Sequence, residues 1–144
     1  DAVLGSRMPD SVVTSGDVDW LFPDFRQEEK DYYARTGIHP IMHLVAIRRE
    51  DYEANPWIAK PLYDAFCKSK DIALKKMGFS GAQKIMLPFL YGDLVEVDQL
   101  FGGDPWPYGV EANRKTLEAL VAHLVEQRLI AESLDVDDLF LDVT

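Results

Sequence analysis

Residues 37 to 50 read Gly-Ile-His-Pro-Ile-Met-His-Leu-Val-Ala-Ile-Arg-Arg-Glu, and this stretch constrains the fold more than any other. From Ile41 to Ile47 every side chain is apolar except His43. A short apolar run opened by glycine and proline and closed by charge predicts a strand buried on both faces. On a strand Ile41, His43, Val45 and Ile47 share one face, and Met42, Leu44 and Ala46 the other. His43 is then the one ionisable group in an apolar ladder, either a hydrogen-bonded core histidine or a chemical one.

The remaining bulk properties narrow the class. With 144 residues, 47% of them hydrophobic, the chain is long enough for one domain with a modest core. Fifteen basic against 25 acidic residues leave a formal charge of −10, which argues against nucleic acid and anionic membrane as partners. It leaves room for a small anion held by a local cluster of cations. No apolar run is long enough to span a bilayer, and no signal peptide is visible. The chain opens Asp-Ala-Val-Leu-Gly-Ser-Arg without methionine and reads as a fragment. Cys67, alone in the sequence and mid-helix, reads as an inert thiol.

Along the chain, Asp1 to Gly5 reads as a short strand and residues 5 to 9 as the loop at its carboxyl end. That is the end of a strand where ligands collect in α/β sheets, so Arg7 is either an anion-binding group or a solvated loop arginine. Residues 10 to 19 read as connection with at most a weak edge strand. A helix is predicted over Pro23 to Arg35, stopped by Gly37. Asn55 and Pro56 open a long amphipathic helix ending at Gly78, with Ile58, Leu62, Ala65, Phe66, Ile72, Ala73 and Met77 as its apolar stripe and a kink expected at Pro61. Shorter helices are predicted over Ser80 to Leu90 and Asp93 to Phe101. Residues 102 to 109, with three glycines and two prolines, form a shaped loop whose large side chains are Trp106 and Tyr108. These aromatics either wall a ligand or plug the loop onto the core. A second long helix is predicted over Lys115 to Leu129, with His123 facing solvent, and the acidic tail reads as a short helix.

Walker, dinucleotide-glycine, HExxH and CxxC motifs are absent. His39 and His43 have helical metal spacing, but Pro40 forbids a helix there, and on a strand they stand about 13 Å apart, too far to chelate one ion. No metal or other cofactor is called for. The groups that remain are Arg7, His39, His43, Trp106, Tyr108 and Arg114. Arg114 opens a helix, where a cation opposes the dipole unless a carboxylate or another anion answers it.

Three stretches, Leu21-Phe-Pro-Asp-Phe, Thr36-Gly-Ile-His-Pro-Ile-Met-His and Trp106-Pro-Tyr-Gly-Val-Glu-Ala-Asn-Arg114, resemble the 4,5-dihydroxyphthalate decarboxylase family. The frame around them resembles the C-terminal half of a type II periplasmic-binding-protein fold. The resemblance spans nearly the whole chain but only about half of a family member. His39 stands where the family pattern has an aromatic, and so is set aside as a catalytic group.

The resemblance implies an α/β fold of two lobes, of which this chain is the C-terminal, mostly helical part with few strands. Residues 1–36 would end the second lobe, 37–50 would be the crossover strand, and 51–144 the helical remainder of the first lobe. It implies loss of one carboxylate from a dihydroxylated aromatic diacid, giving 3,4-dihydroxybenzoate and CO2 in the cytoplasm. His43 would be the catalytic group, with Arg7, Trp106, Tyr108 and Arg114 binding substrate. A homo-oligomer, completed by an N-terminal half without which these 144 residues are inactive, is expected. The rival reading on the same fold is a solute-binding protein that delivers an aromatic or sulfonate anion to a transporter.

Overall fold

A computed structural model describes residues 2–5, 7–82 and 84–143. The chain divides into two units, Asp1–Thr36 and Gly37–Thr144, each considered by itself.

The first unit contains α1 (Ser11–Thr14) and α2 (Phe25–Thr36). A single helical turn, tied by the Thr14 hydroxyl to the Asp10 carbonyl at 2.9 Å, stands where connection or a weak edge strand was expected. Asp24 starts α2, because its carboxylate accepts from the Gln27 N–H at 3.3 Å while its carbonyl takes the Gln27 and Glu28 N–H groups. Glu28 in the first turn and Arg35 in the last complement the helix dipole. The Trp20 and Phe25 rings lie 5.3 Å apart and close the preceding turn onto this helix.

The second unit contains α3 (Arg49–Ala54), a 3-10 turn at Pro56–Ile58, α4 (Ala59–Met77), α5 (Leu90–Phe101), α6 (Val110–Glu126) and a 3-10 turn at Val136–Leu139. The segment opened by Asn55 starts as the 3-10 turn and restarts as the α-helix at Ala59, so the kink or restart expected at Pro61 comes two residues ahead of it. Pro61 falls in the first turn of α4, where backbone N–H groups have no helical partner anyway. Lys60 pairs with Asp64 one turn on, at 2.6 Å, and Lys75 and Lys76 answer the C-terminal dipole.

The inward face of α4 is rotated from the expected stripe. Of the expected residues, Ile58, Leu62 and Met77 are half-buried and Ala65, Phe66, Ile72 and Ala73 are exposed, while Ala59, Tyr63, Cys67, Lys70 and Leu74 are buried or half-buried in their place. The helix expected over Ser80 to Leu90 does not form among the described residues; Gln83 lies outside them. Pro88 donates no N–H, and the Leu87 and Leu90 amides bond locally, to Ile85 and Leu87. The next helix therefore starts at Leu90, ahead of Asp93.

The core of this unit is small. Leu117 and Val121 on α6 meet Val136 of the last 3-10 turn, and Ile41, Val110, Ile130 and Phe140 pack around them. α6 opens at Val110, five residues before the expected start. It closes at Glu126, where Arg128 turns left-handed at φ 60° and the Leu129 N–H returns to the Leu124 carbonyl at 2.8 Å. Asp135 caps the 3-10 turn by accepting from the Asp137 N–H.

The α/β expectation is corrected by this architecture: the described residues contain no strand and no sheet. Ala2–Gly5 lie outside any strand, and Asp1 and Ser6 fall outside the described residues. The stretch from Gly37 to Arg48 has no ladder partner, and its tail from Arg49 is helical. An apolar run becomes a strand only when a second strand takes its N–H and C=O groups. Here the stretch is pinned instead through Ile41 on the core and through the His39 carbonyl, which the Thr116 hydroxyl reaches at 3.5 Å. Between Met42 and Ala46 it is exposed, His43 included.

Candidate functional site

The loop between α5 and α6 carries the densest polar construction of the second unit. Gly102 ends α5 in the left-handed region at φ 69°, and Gly109 precedes α6 at φ 102°, so the chain reverses at both ends of the loop as L side chains rarely can. Pro105 and Pro107 stiffen the span between them. The Asp104 carboxylate accepts the Trp106 N–H at 3.1 Å, a local turn that sets where the indole leaves the backbone. Asn113, on the first turn of α6, donates its amide to the Pro107 carbonyl at 2.7 Å and to the Gly109 carbonyl at 2.9 Å.

Lys70 joins this loop to α4. Its ammonium donates to Asp104 Oδ2 at 2.5 Å and to the Trp106 carbonyl at 3.0 Å, and it lies 4.2 Å from the centre of the Tyr108 ring. The Lys70 side chain is only 17% exposed. Across the loop, the His39 imidazole lies 4.9 Å from the Phe101 ring and 6.2 Å from Trp106. Trp106 and Tyr108 nevertheless remain 49% and 41% exposed. They are held in place without being swallowed by the core, so each presents ring surface outward.

Of the residues singled out from the sequence, Trp106 and Tyr108 are brought together by Lys70, and His39, which had been set aside, joins them through Trp106. His43 is exposed on the unladdered stretch. Arg7 is exposed in the first unit. Arg114 is engaged by carboxylates: Glu111 one turn before it, Asp137 at 2.6 Å and Glu118 at 4.0 Å. The Glu111 and Asp137 hydrogen bonds push the guanidinium pKa up, and the same contact holds the Glu111 carboxyl below its usual range. The cation placed against the dipole of α6 thus finds its answer within the chain. His123 faces solvent as the helical spacing indicates, 3.5 Å from Glu126.

Lys70 and Asp104 were not singled out beforehand. A signal for Lys70 is present: it lies four residues after Phe66 and three before Ala73, a charge within an apolar stripe, which asks for a partner. Asp104 offered only a turn residue between glycine and proline.

Two grooves lie on the surface of the second unit among the described residues. One, of about 210 Å3, runs between α6 and the last 3-10 turn beside Arg114, Glu118 and Asp135. The other, of about 240 Å3, lies between the end of α4 and the start of α5, with Phe79, Lys84, Leu87 and Tyr91 on its walls. Neither is lined by His39, Trp106 or Tyr108. Among the described residues no group of three or more His, Cys, Asp or Glu side chains converges on a metal position, and no helix is long and apolar enough to cross a membrane.

No family model matches the chain. Over 142 residues it is 32% identical to a 4,5-dihydroxyphthalate decarboxylase of Comamonas testosteroni, a match covering 97% of this chain and 43% of that protein. The resemblance noted at residues 21–25, 36–43 and 106–114 thus extends over 97% of the chain, which spans less than half the length of this curated relative.

Proposed function

We propose that this chain is part of a decarboxylase acting on a dihydroxylated aromatic dicarboxylate, converting 4,5-dihydroxyphthalate to 3,4-dihydroxybenzoate and CO2. The observation that carries this reading is the similarity to a 4,5-dihydroxyphthalate decarboxylase over nearly every residue of the chain. The outward-facing Trp106 and Tyr108 rings support it, because a planar aromatic acid can stack on them.

In the reaction the bond between ring carbon and carboxylate breaks, CO2 leaves, and a proton takes its place on the carbon. A histidine supplies that proton best near neutral pH. We assign this role, or the orientation of a phenolic oxygen, to His43, whose exposure leaves it open to a ligand. The two-pronged fork of an arginine suits the retained carboxylate, and Arg7, in the first unit, is the residue that the resemblance puts forward for it. Trp106 and Tyr108 wall the ring and exclude water, which strengthens those contacts. Arg114 meets an anion only by exchanging one of its carboxylate partners, and so stands behind Arg7 as a cation for substrate.

The test is CO2 release from 4,5-dihydroxyphthalate by the full-length protein and its His43→Asn and His39→Asn variants. Replacement of a general acid lowers kcat by about 100-fold or more, so a folded His43→Asn protein with full turnover removes the acid role. Loss of turnover in His39→Asn alone moves that role to the imidazole beside Trp106. Tight binding of the diacid without any CO2 release favours a solute-binding protein instead.

A further inference from the structure

We propose that Lys70 is the positioning residue of the Trp106–Tyr108 wall, one ammonium group setting the placement of both aromatics. This inference rests on the reading of those rings as the wall of an aromatic-acid site. An ammonium has three N–H directions and no lone pair. On Lys70 one is taken by Asp104 Oδ2 and one by the Trp106 carbonyl, and the Tyr108 face lies 4.2 Å away on the remaining side. Two of its donors are bound within the chain and the Tyr108 ring faces the same ammonium, the arrangement of a positioning group.

Its three contacts fall on alternate residues, 104, 106 and 108, so a single group reads the loop along its length. The Asp104 carboxylate is shared in turn: one oxygen receives Lys70 and the other the Trp106 N–H. Charge, local turn and ring orientation are thereby coupled. The side chain comes from the inward face of a 19-residue helix, a stiffer mount than the loop itself. Asn113 secures the far end at Pro107 and Gly109, so the two aromatics stand on a span tied down from α4 and from α6.

The test uses the full-length protein in which Trp106 is the only tryptophan of this region, with Trp20 and Trp57 replaced by Phe and any tryptophan beyond these residues likewise replaced. Acrylamide quenching then reports on the Trp106 indole, and far-UV circular dichroism reports on the helices. In Lys70→Met the Trp106 carbonyl loses its ammonium partner and Asp104 loses its ion pair, so Trp106 becomes about twofold more quenchable, and Lys70→Arg restores most of the protection. Asp104→Asn moves quenching in the same direction by less, because the bond from Lys70 to the Trp106 carbonyl survives.

A folded Lys70→Met protein with unchanged quenching overturns the proposal. If Lys70→Met does not fold, unchanged quenching in folded Asp104→Asn overturns it equally. In turnover, a misplaced wall raises KM about tenfold with kcat within about twofold, the signature of lost uniform binding. A parent protein that releases no CO2 removes the decarboxylase reading and leaves the quenching result standing. An active parent whose Lys70→Met variant keeps its quenching removes the positioning role and leaves the reaction standing.

Discussion

The 102–109 loop and the 37–48 stretch invert the usual relation between composition and order. The loop, full of glycine and proline, is held by directed polar bonds from Lys70 and Asn113 and by the Asp104 turn. The stretch, rich in Ile, Leu and Val, is held at its start, through Ile41 on the core and a hydrogen bond to the His39 carbonyl among others, and its middle lies open. Apolar character supplies a drive to be buried but no address. Hydrogen bonds and ion pairs with defined directions supply the address, so it is the loop that holds its two aromatics in set positions.

This contrast can be broken by substitution. The largest effect belongs to Ile41→Ala, which removes a side chain packed on Leu117, Val121 and Val136 and costs about 1–2 kcal/mol in urea unfolding. Leu44→Ala, three residues on and 66% exposed, shifts stability by less than about 0.5 kcal/mol. Equal costs at the two positions would show that the whole stretch is embedded, against the description given.

Asn113→Ala comes next, at about 1 kcal/mol, because the Pro107 and Gly109 carbonyls lose their partner. Hydrogen exchange sharpens that comparison: amides of residues 104–109 gain exchange rate while those of 42–46 do not change.

The smallest effect is electrostatic. Arg114 holds the Glu111 carboxyl below its ordinary value of 4.5, so the folded state binds that proton less readily than the unfolded chain. The contribution is present above about pH 4.5 and is lost as pH falls below it through the depressed folded value. Glu111→Gln flattens that part of the stability profile by slightly lowering its neutral-pH end and leaves the acid end nearly unchanged, as chemical denaturation across pH 3 to 7 would record. An exposed pair is screened by solvent, which keeps the change slight.

The helices around residues 59–77 and 110–126 were legible because 3.6-residue periodicity and left-handed or glycine stops are local properties. Their boundaries shifted for local reasons as well. Pro61 sits in a first turn and costs no hydrogen bond, and Gly109 starts α6 early. Trp106 and Tyr108 were legible as the large side chains of a shaped loop, but their half-exposure was not. Whether a ring walls or plugs depends on what else occupies the core. Lys70 was legible only as an anomaly in a stripe whose inward direction had been placed about the wrong residues. His39 lost standing on pattern grounds, yet it is the imidazole that meets Phe101 and Trp106.

By itself the sequence determined the helices α2, α4 and α6, the acidic balance, the aromatic loop, and the similarity to a 4,5-dihydroxyphthalate decarboxylase. All of these are readable from residue order, because propensity, charge and motif act over a few positions. Only the tertiary structure decided that Ile41 to Ile47 forms no strand, that Arg114 is answered by Glu111 and Asp137, and that Lys70 reaches Asp104 and the two aromatics. Each depends on a partner distant in sequence. A strand needs a second strand, and a salt bridge needs an opposite charge brought within about 4 Å. Local pattern carries no record of which distant group arrives.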